Sequence, residues 1–508
     1  MVVAKAFGSV LGFFLCGALL SAGPLKTGKL KPGANPPNYA AFNRPLSEED
    51  QLRHALDRLT FGPRPGDLER LDQMGLKRWL DEQLHPEKIA ENSLLIEKLS
   101  PLTSLNLAPP QTYALYESEK SAGQKGPNPA ARDLIDAKIL RAIYSNRQFA
   151  ELLDDFWFNH FNVFLNKGAD RYFLAVYERD TIRPHLFGKF YDLLLATAES
   201  PAMLFYLDNW QSAGPDLAVR APNNKRARRG LNENYGRELL ELHTLGVNGG
   251  YMQKDVIEVA RCFTGWTIRQ PGKGGEFFYS DRLHDKGAKV VLGHVIPAGG
   301  GMKDGLEVLE ILAHHPATAH HISLELAQRF VADDPPPSLV NRMSETFLKS
   351  GGDLRKVLQT MLKSPEFWSE GAYQAKVKTP FEMVVSAVRA ANANVDSANA
   401  LAGQIQKLGE PLYRKIEPTG YSSANTEWIN SASLLDRMNF ALALAQNRVK
   451  GVHVDTGSWE SQRDPLQVAR SILGALPGAQ TEAAIEQQGG APNMVAGLTL
   501  GSPEFQRR

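Results

Sequence analysis

Cysteine is almost absent. Of 508 residues only Cys16 and Cys262 are cysteines, too few for a disulfide-stapled scaffold or a cysteine-rich metal cluster. Net charge is almost absent as well: 57 Lys and Arg stand against 56 Asp and Glu. That balance argues against a general nucleic-acid binder or a protein held on acidic membranes by bulk charge, while leaving room for a local basic patch. The sequence contains no His-Glu-x-x-His zinc motif and no Gly-x-Ser-x-Gly elbow. Gly299-Gly-Gly-Met-Lys303 lacks phosphate-loop spacing. Gly23-Pro-Leu-Lys-Thr-Gly-Lys29 has the spacing but places Leu30 where a Mg²⁺-binding hydroxyl belongs. No apolar run reaches the ~20 residues of a comfortable membrane span.

What is present is the makeup of a folded globular chain, 43% hydrophobic and 22% charged. The N-terminus reads as a secretory signal: a basic start over Met1 to Lys5, an apolar run from Ala6 to Leu20, then small residues Ser21-Ala22-Gly23. Cleavage there removes one Lys and Cys16, leaving equal numbers of cations and acids and a single thiol. The expected organisation is a signal peptide over 1–23, an extended Pro- and Gly-rich leader over 24–46, and one large domain over 47–508. We therefore expect an exported protein, periplasmic or extracellular, with no transmembrane anchor after processing.

Helical periodicity dominates the chain, so the expected fold is mainly α: a large multi-helix domain with a small inserted antiparallel β-sheet. Ser47 and three following acids mark a helix start, Phe61-Gly-Pro-Arg-Pro-Gly66 a break, and Asp67 the cap of the next helix. The strand signals cluster at about 265–295, in Trp266–Ile268, Glu276–Tyr279 and Lys289–Leu292. Ser364-Pro-Glu-Phe recurs as Ser502-Pro-Glu-Phe, and each reads as a helix stop with a buried Phe.

The segment Asn232 to Gly246 forms a helix with Asn232 as N-cap and Gly246 as its stop. At about 100° per residue, Glu233, Arg237 and Glu241 share one arc and read as a solvated ion ladder. Glu238 falls on another arc, one turn past Asn234 and beside Leu242 and Leu245, where partial desolvation raises a carboxyl towards general-acid range. His243 and, on Phe149–Phe164, His160 each sit within an apolar arc, with Asn159 at the edge of the second. A core histidine bonded to a carbonyl is the common outcome for both. If the two converged on a cavity with Asp208 or Glu238, they would serve as acid and base or as metal ligands. Arg179, Asp180, Arg183 and His185 read as an interhelix ion network, and His321 as an i, i+4 partner of Glu325. His284-Asp285 reads as a simple turn. Arg220, Lys225, Arg226, Arg228 and Arg229 crowd a loop before Asn232, which favours an anionic ligand or an acidic partner.

The words Arg58-Leu-Thr-Phe-Gly-Pro-Arg-Pro-Gly66, Phe156-Trp-Phe-Asn-His-Phe-Asn162, Tyr177-Glu-Arg-Asp-Thr-Ile-Arg-Pro-His185, Glu238-Leu-Leu-Glu-Leu-His-Thr-Leu-Gly246, Phe263-Thr-Gly-Trp266 and Lys378-Thr-Pro-Phe-Glu382 resemble one bacterial family, catalogued as domain of unknown function 1800. The resemblance runs from about Leu46 to the C-terminus, with Gly236 where Ala is usual and Met252 where Thr often caps a helix. It implies an exported helical protein, often encoded beside a secreted sulfatase- or phosphatase-like protein, and no established reaction or cofactor.

From these residues the leading expectation is a cell-envelope protein that engages a polyanionic polysaccharide. In its catalytic form Glu238 is the general acid and Asp208 the base or nucleophile. Asn159, Asn234, Arg226, Arg228 and Arg229 contact substrate, and His160 and His243 orient it. The alternatives are a non-catalytic scaffold for another exported protein and a metalloenzyme using His160 and His243; no nucleic-acid partner is expected.

Overall fold

The computed structural model describes residues 39–121, 128–214, 218–220, 226–228, 230–462, 464–487 and 490–508. The expected signal peptide, most of the leader, Lys225 and Arg229 lie outside the described residues, and residues 218–220 and 226–228 are described as backbone only. Tyr39–Arg508 forms one compact, mainly helical unit.

Helix α1 (Glu48–Leu59) begins as the sequence dictates. The Ser47 hydroxyl accepts the Asp50 N–H at 3.1 Å, and Glu48, Glu49 and Asp50 stand at the positive end of the helix dipole. Its apolar face buries Ala55, Leu56 and Leu59. The turn that ends it depends on Gly62 (φ +97°), where a Cβ would stand 2.8 Å from that of Ser386. Helix α2 (Asp67–Met74) is capped by Gly66 (φ +85°) and not by Asp67, whose carboxylate instead accepts the Arg64 N–H at 2.8 Å and closes the preceding turn.

Helices α3 (Pro129–Tyr144) and α4 (Gln148–His160) run through the interior. α4 buries residues on every side, including Phe149, Leu152, Leu153 and Trp157, which is why its sequence is apolar beyond a single stripe. The basic loop carries a two-stranded antiparallel hairpin, β1 (Ala218–Arg220) with β2 (Arg226–Arg228). Helices α5 (Glu233–Glu241) and α6 (Gln253–Cys262) follow, and the expected N-cap of α5 is present: Asn232 Oδ1 accepts the Asn234 N–H at 2.8 Å. α5 ends earlier than its periodicity predicts, because Leu242 and His243 both donate to the Glu238 carbonyl and the chain turns at Gly246 (φ +80°).

α5 and α6 meet at Gly236, where a Cβ would lie 2.9 Å from the Val256 carbonyl oxygen and 3.1 Å from the Ala260 nitrogen. The missing Cβ at Gly236 therefore brings these helices into backbone contact. Gly236→Leu is expected to destabilise the fold by about 1–3 kcal/mol through overpacking. The measurement is the midpoint of chemical denaturation; an unchanged midpoint would mean the pair separates freely.

The inserted β region is not one sheet. β3 (Trp266–Ile268) pairs with β4 (Phe277–Tyr279), and β5 (Lys289–Val291) pairs separately with β6 (His294–Ile296). The turn residues explain the split. Leu292 (φ +49°) and Gly293 (φ +83°) both adopt left-handed conformations, which fold β5 directly onto its own successor.

The remaining helices named below are α7 (Lys303–Ala313), α8 (Pro316–Phe330), α9 (Pro337–Lys349), α10 (Leu354–Leu362), α11 (Pro380–Ala390), α12 (Ser431–Ala445) and α13 (Pro492–Leu500). α8 packs on α9, and α12 on α13. Both Ser-Pro-Glu-Phe segments act as expected: the Ser364 and Ser502 hydroxyls accept the Phe367 and Phe505 N–H groups, and both rings are buried. α11 starts with a reciprocal cap between Thr379 and Glu382. The Glu382 carboxylate also holds the Arg329 and Arg508 guanidinium groups, all three residues being buried. No helix among the described residues is long and apolar enough to cross a membrane.

Candidate functional site

A cleft of about 360 Å³ opens where the end of α4, the turn after α5, α8 and the segment 410–423 meet. Its floor is a histidine–carboxylate group. His160, the last residue of α4, sets Nδ1 at 2.6 Å from Glu325 Oε2 and Nε2 at 3.3 Å from the His243 carbonyl oxygen. Glu325 is also 3.6 Å from His321, one turn back on α8, as the i, i+4 spacing predicts. Burial alone would raise the Glu325 carboxyl, but the charge and hydrogen bond of His160, helped by His321, bring it below its ordinary value. The His321 imidazole is pushed down by burial, against the pull of Glu325, and its Nε2 lies 3.2 Å from the Leu242 carbonyl oxygen. Gly246 makes this approach possible, since a Cβ there would sit 3.0 Å from His321 Nδ1.

A second carboxyl in the same wall is shifted the opposite way. Glu410 is buried and accepts the Phe381 N–H at 2.7 Å at the start of α11. Burial first, then the like charges of Asp155 and Glu382, push it up to about 8 against that hydrogen bond. It is therefore mostly protonated near neutral pH, while Glu325 is ionised. Four buried cations also line the cleft. Lys138 pairs with Asp155 at 3.0 Å, Arg329 and Arg508 with Glu382, and Lys376 with Asp333.

The loop that covers the end of α4 is pinned by side chains from beneath. Asn159 bonds the Tyr421 backbone twice, Nδ2 to its carbonyl at 2.8 Å and Oδ1 to its N–H at 2.6 Å. Asn162 holds the carbonyls of Lys415 and Glu417, and the Tyr206 hydroxyl that of Ile416. Any side chain at Gly420 (φ +66°) would collide with Asn159. Asn159 thus lines the cleft, but its carboxamide is committed to the loop.

The structure brings together Asn159, His160 and His243, the two imidazole centroids being 6.3 Å apart. His243 is a core residue: burial, then His160 and His321, push it down to about 3, and its Nε2 has no hydrogen-bond partner. Glu238 does not line the cleft. It stands half-buried on α5, raised to about 7 by burial and by Glu241 against the pull of Arg237, which is the desolvated acid its position predicts. Asp208, in a left-handed conformation (φ +60°), is half-exposed and bonded to Lys167 at 2.8 Å. Asn234 is exposed, the strand β2 carries Arg226 and Arg228, and Arg229 lies outside the described residues. Among the described residues no three His, Cys, Asp or Glu side chains are grouped to hold a metal ion.

In the cleft one residue departs from its sequence reading and another had none. Glu241 leaves the ion ladder to accept the Tyr251 hydroxyl at 2.8 Å and lines the cleft. Glu410, in Gly409-Glu-Pro411, carries no sequence signal, because its environment is built by α11. Of the expected ion network, Arg183 bridges Glu151, Asp154 and Glu178 at 2.8–3.0 Å, while Arg179 pairs with its chain neighbour Asp180 and His185 bonds the Thr181 carbonyl at 2.8 Å.

No curated protein and no solved structure matches the chain. A family model matches residues 54–507, and the chain belongs to that family, described as a protein of unknown function (DUF1800).

Proposed function

We propose that this is an exported envelope protein that binds an anionic glycan in the His160 cleft and hydrolyses it by acid–base catalysis. The carrying observation is that one cleft holds an ionised Glu325 against His160 and a protonated Glu410. Environments that push two carboxyls apart separate the acid from the base in glycosidic cleavage. In this reading Glu410 donates to the leaving oxygen, and the ionised Glu325, held in place by His160, activates water. Lys138, Arg329, Lys376 and Arg508, each already paired with a carboxylate, would meet the acid groups of the ligand by exchanging those partners.

The test is a panel of neutral, sulfated and uronic-acid polysaccharides, with binding and reducing-end release recorded together. Glu325→Gln keeps a hydrogen-bond acceptor for His160 but removes its charge, and release is expected to fall by about 10²-fold or more with binding retained. Binding and release both unaffected would remove the dyad from the mechanism.

The raised Glu238 carboxyl supports a second reading, in which Glu238 on α5 and Asp208 form the acid–base pair. The two are separable. With the reaction in the His160 cleft, Glu238→Gln leaves release within about threefold of wild type, since removing a general acid costs about 10²–10⁴-fold. A loss of that larger size would place the reaction on α5.

A further inference from the structure

The β insertion holds a second buried polar group that the cleft does not use. Lys289 on β5, Asp304 in the first turn of α7, and His284 between β4 and β5 converge with side chains 0–1% exposed. Lys289 Nζ touches Asp304 Oδ2. His284 Nε2 stands between them, 3.1 Å from that oxygen and 3.4 Å from Nζ. His284 Nδ1 lies 2.8 Å from the Thr264 carbonyl oxygen, which fixes the ring proton there and leaves Nε2 bare in the neutral imidazole. Lys289 Nζ also donates to the Asp285 carbonyl, which holds the amine in place. The carboxyl is enclosed too, because any side chain at Gly300 would collide with Asp304 Oδ1.

We propose that Lys289 and Asp304 condense into an intramolecular isopeptide bond, with His284 as the proton carrier. The step starts from the amine–carboxylic acid form of the pair, which holds the same number of protons as the ammonium–carboxylate form in contact here. The Nζ lone pair attacks Asp304 Cγ and an N–C bond forms. His284 Nε2 takes a proton from Nζ and delivers it to the departing hydroxyl, which leaves as water as the C–O bond breaks. No electrons are exchanged and no co-reactant is needed. Fixed contact between amine and carboxyl supplies the high effective concentration that such a step requires. The bond ties β5 to α7 across 15 residues. It does so in a chain whose one described cysteine, Cys262, is free and buried, so that no disulfide staples this region.

The experiment is intact mass spectrometry of the purified full chain after denaturation, followed by peptide mapping. The expected result is a mass lower by one water, and a branched peptide joining the segments that contain Lys289 and Asp304. Lys289→Arg keeps the positive charge but cannot form the amide, and restores the full mass. A wild-type chain of full mass, with the two segments recovered as separate peptides, overturns the proposal, as does a water loss that persists in Lys289→Arg. Neither readout depends on the variant being active.

Discussion

Glu410→Gln leaves a folded protein that still binds anionic polysaccharide but releases reducing ends about 10²–10⁴-fold more slowly, because glutamine cannot donate the proton a departing sugar oxygen needs. The pH dependence separates this from a packing defect. With the acid at about 8, wild-type release falls as pH rises through 8, and the residual activity of the variant lacks that limb. Stability carries the same signature. The folded Glu410 carboxyl binds its proton more tightly than the unfolded one, at about 8 against 4.5. Its ionisation therefore opposes folding, and the wild type loses stability between pH 4.5 and 8 and no further above 8. The size is on the order of 5 kcal/mol for a fully buried group. Glu410→Gln has nothing to ionise, so the stability of wild type relative to the variant falls across that window. Urea titrations at pH 5 and 8.5 measure it, and parallel pH profiles for the two proteins would contradict the buried-acid assignment.

The largest stability effect is expected at Glu382. This carboxylate closes the cap of α11 and neutralises Arg329 and Arg508 inside the protein. Glu382→Ala leaves two guanidinium groups buried beside each other without it, and is expected to cost about 3–5 kcal/mol. A loss below 1 kcal/mol in equilibrium denaturation would show that water or Asp155 replaces it.

Features set by neighbouring residues were legible in the sequence. The Ser47 and Asn232 caps, the two Ser-Pro-Glu-Phe stops, the His321–Glu325 pair and the Arg183 network each depend on local spacing, or on charges dense enough to find partners. So was the partial desolvation of Glu238, because helix geometry places it at the edge of an apolar arc. The cleft was not legible, since its groups come from distant parts of the chain. His160 and Glu325 are 165 residues apart, and Glu410 owes its character to a helix start 29 residues earlier in the chain. His284 read as part of a loop because nothing nearby in sequence announces that Asp304 and Lys289 close over it. The single expected sheet became two hairpins for a backbone reason, the paired left-handed residues Leu292 and Gly293, which a strand pattern does not encode.

The most direct measurement is reducing-end release from a uronic-acid polysaccharide and from a neutral one of equal length, by wild type and Glu410→Gln side by side at pH 6. Hydrolysis in the His160 cleft requires release from the anionic polymer by wild type, little from the neutral one, and bound but uncleaved polymer with the variant. Release by neither protein, or equal release by both, would contradict it.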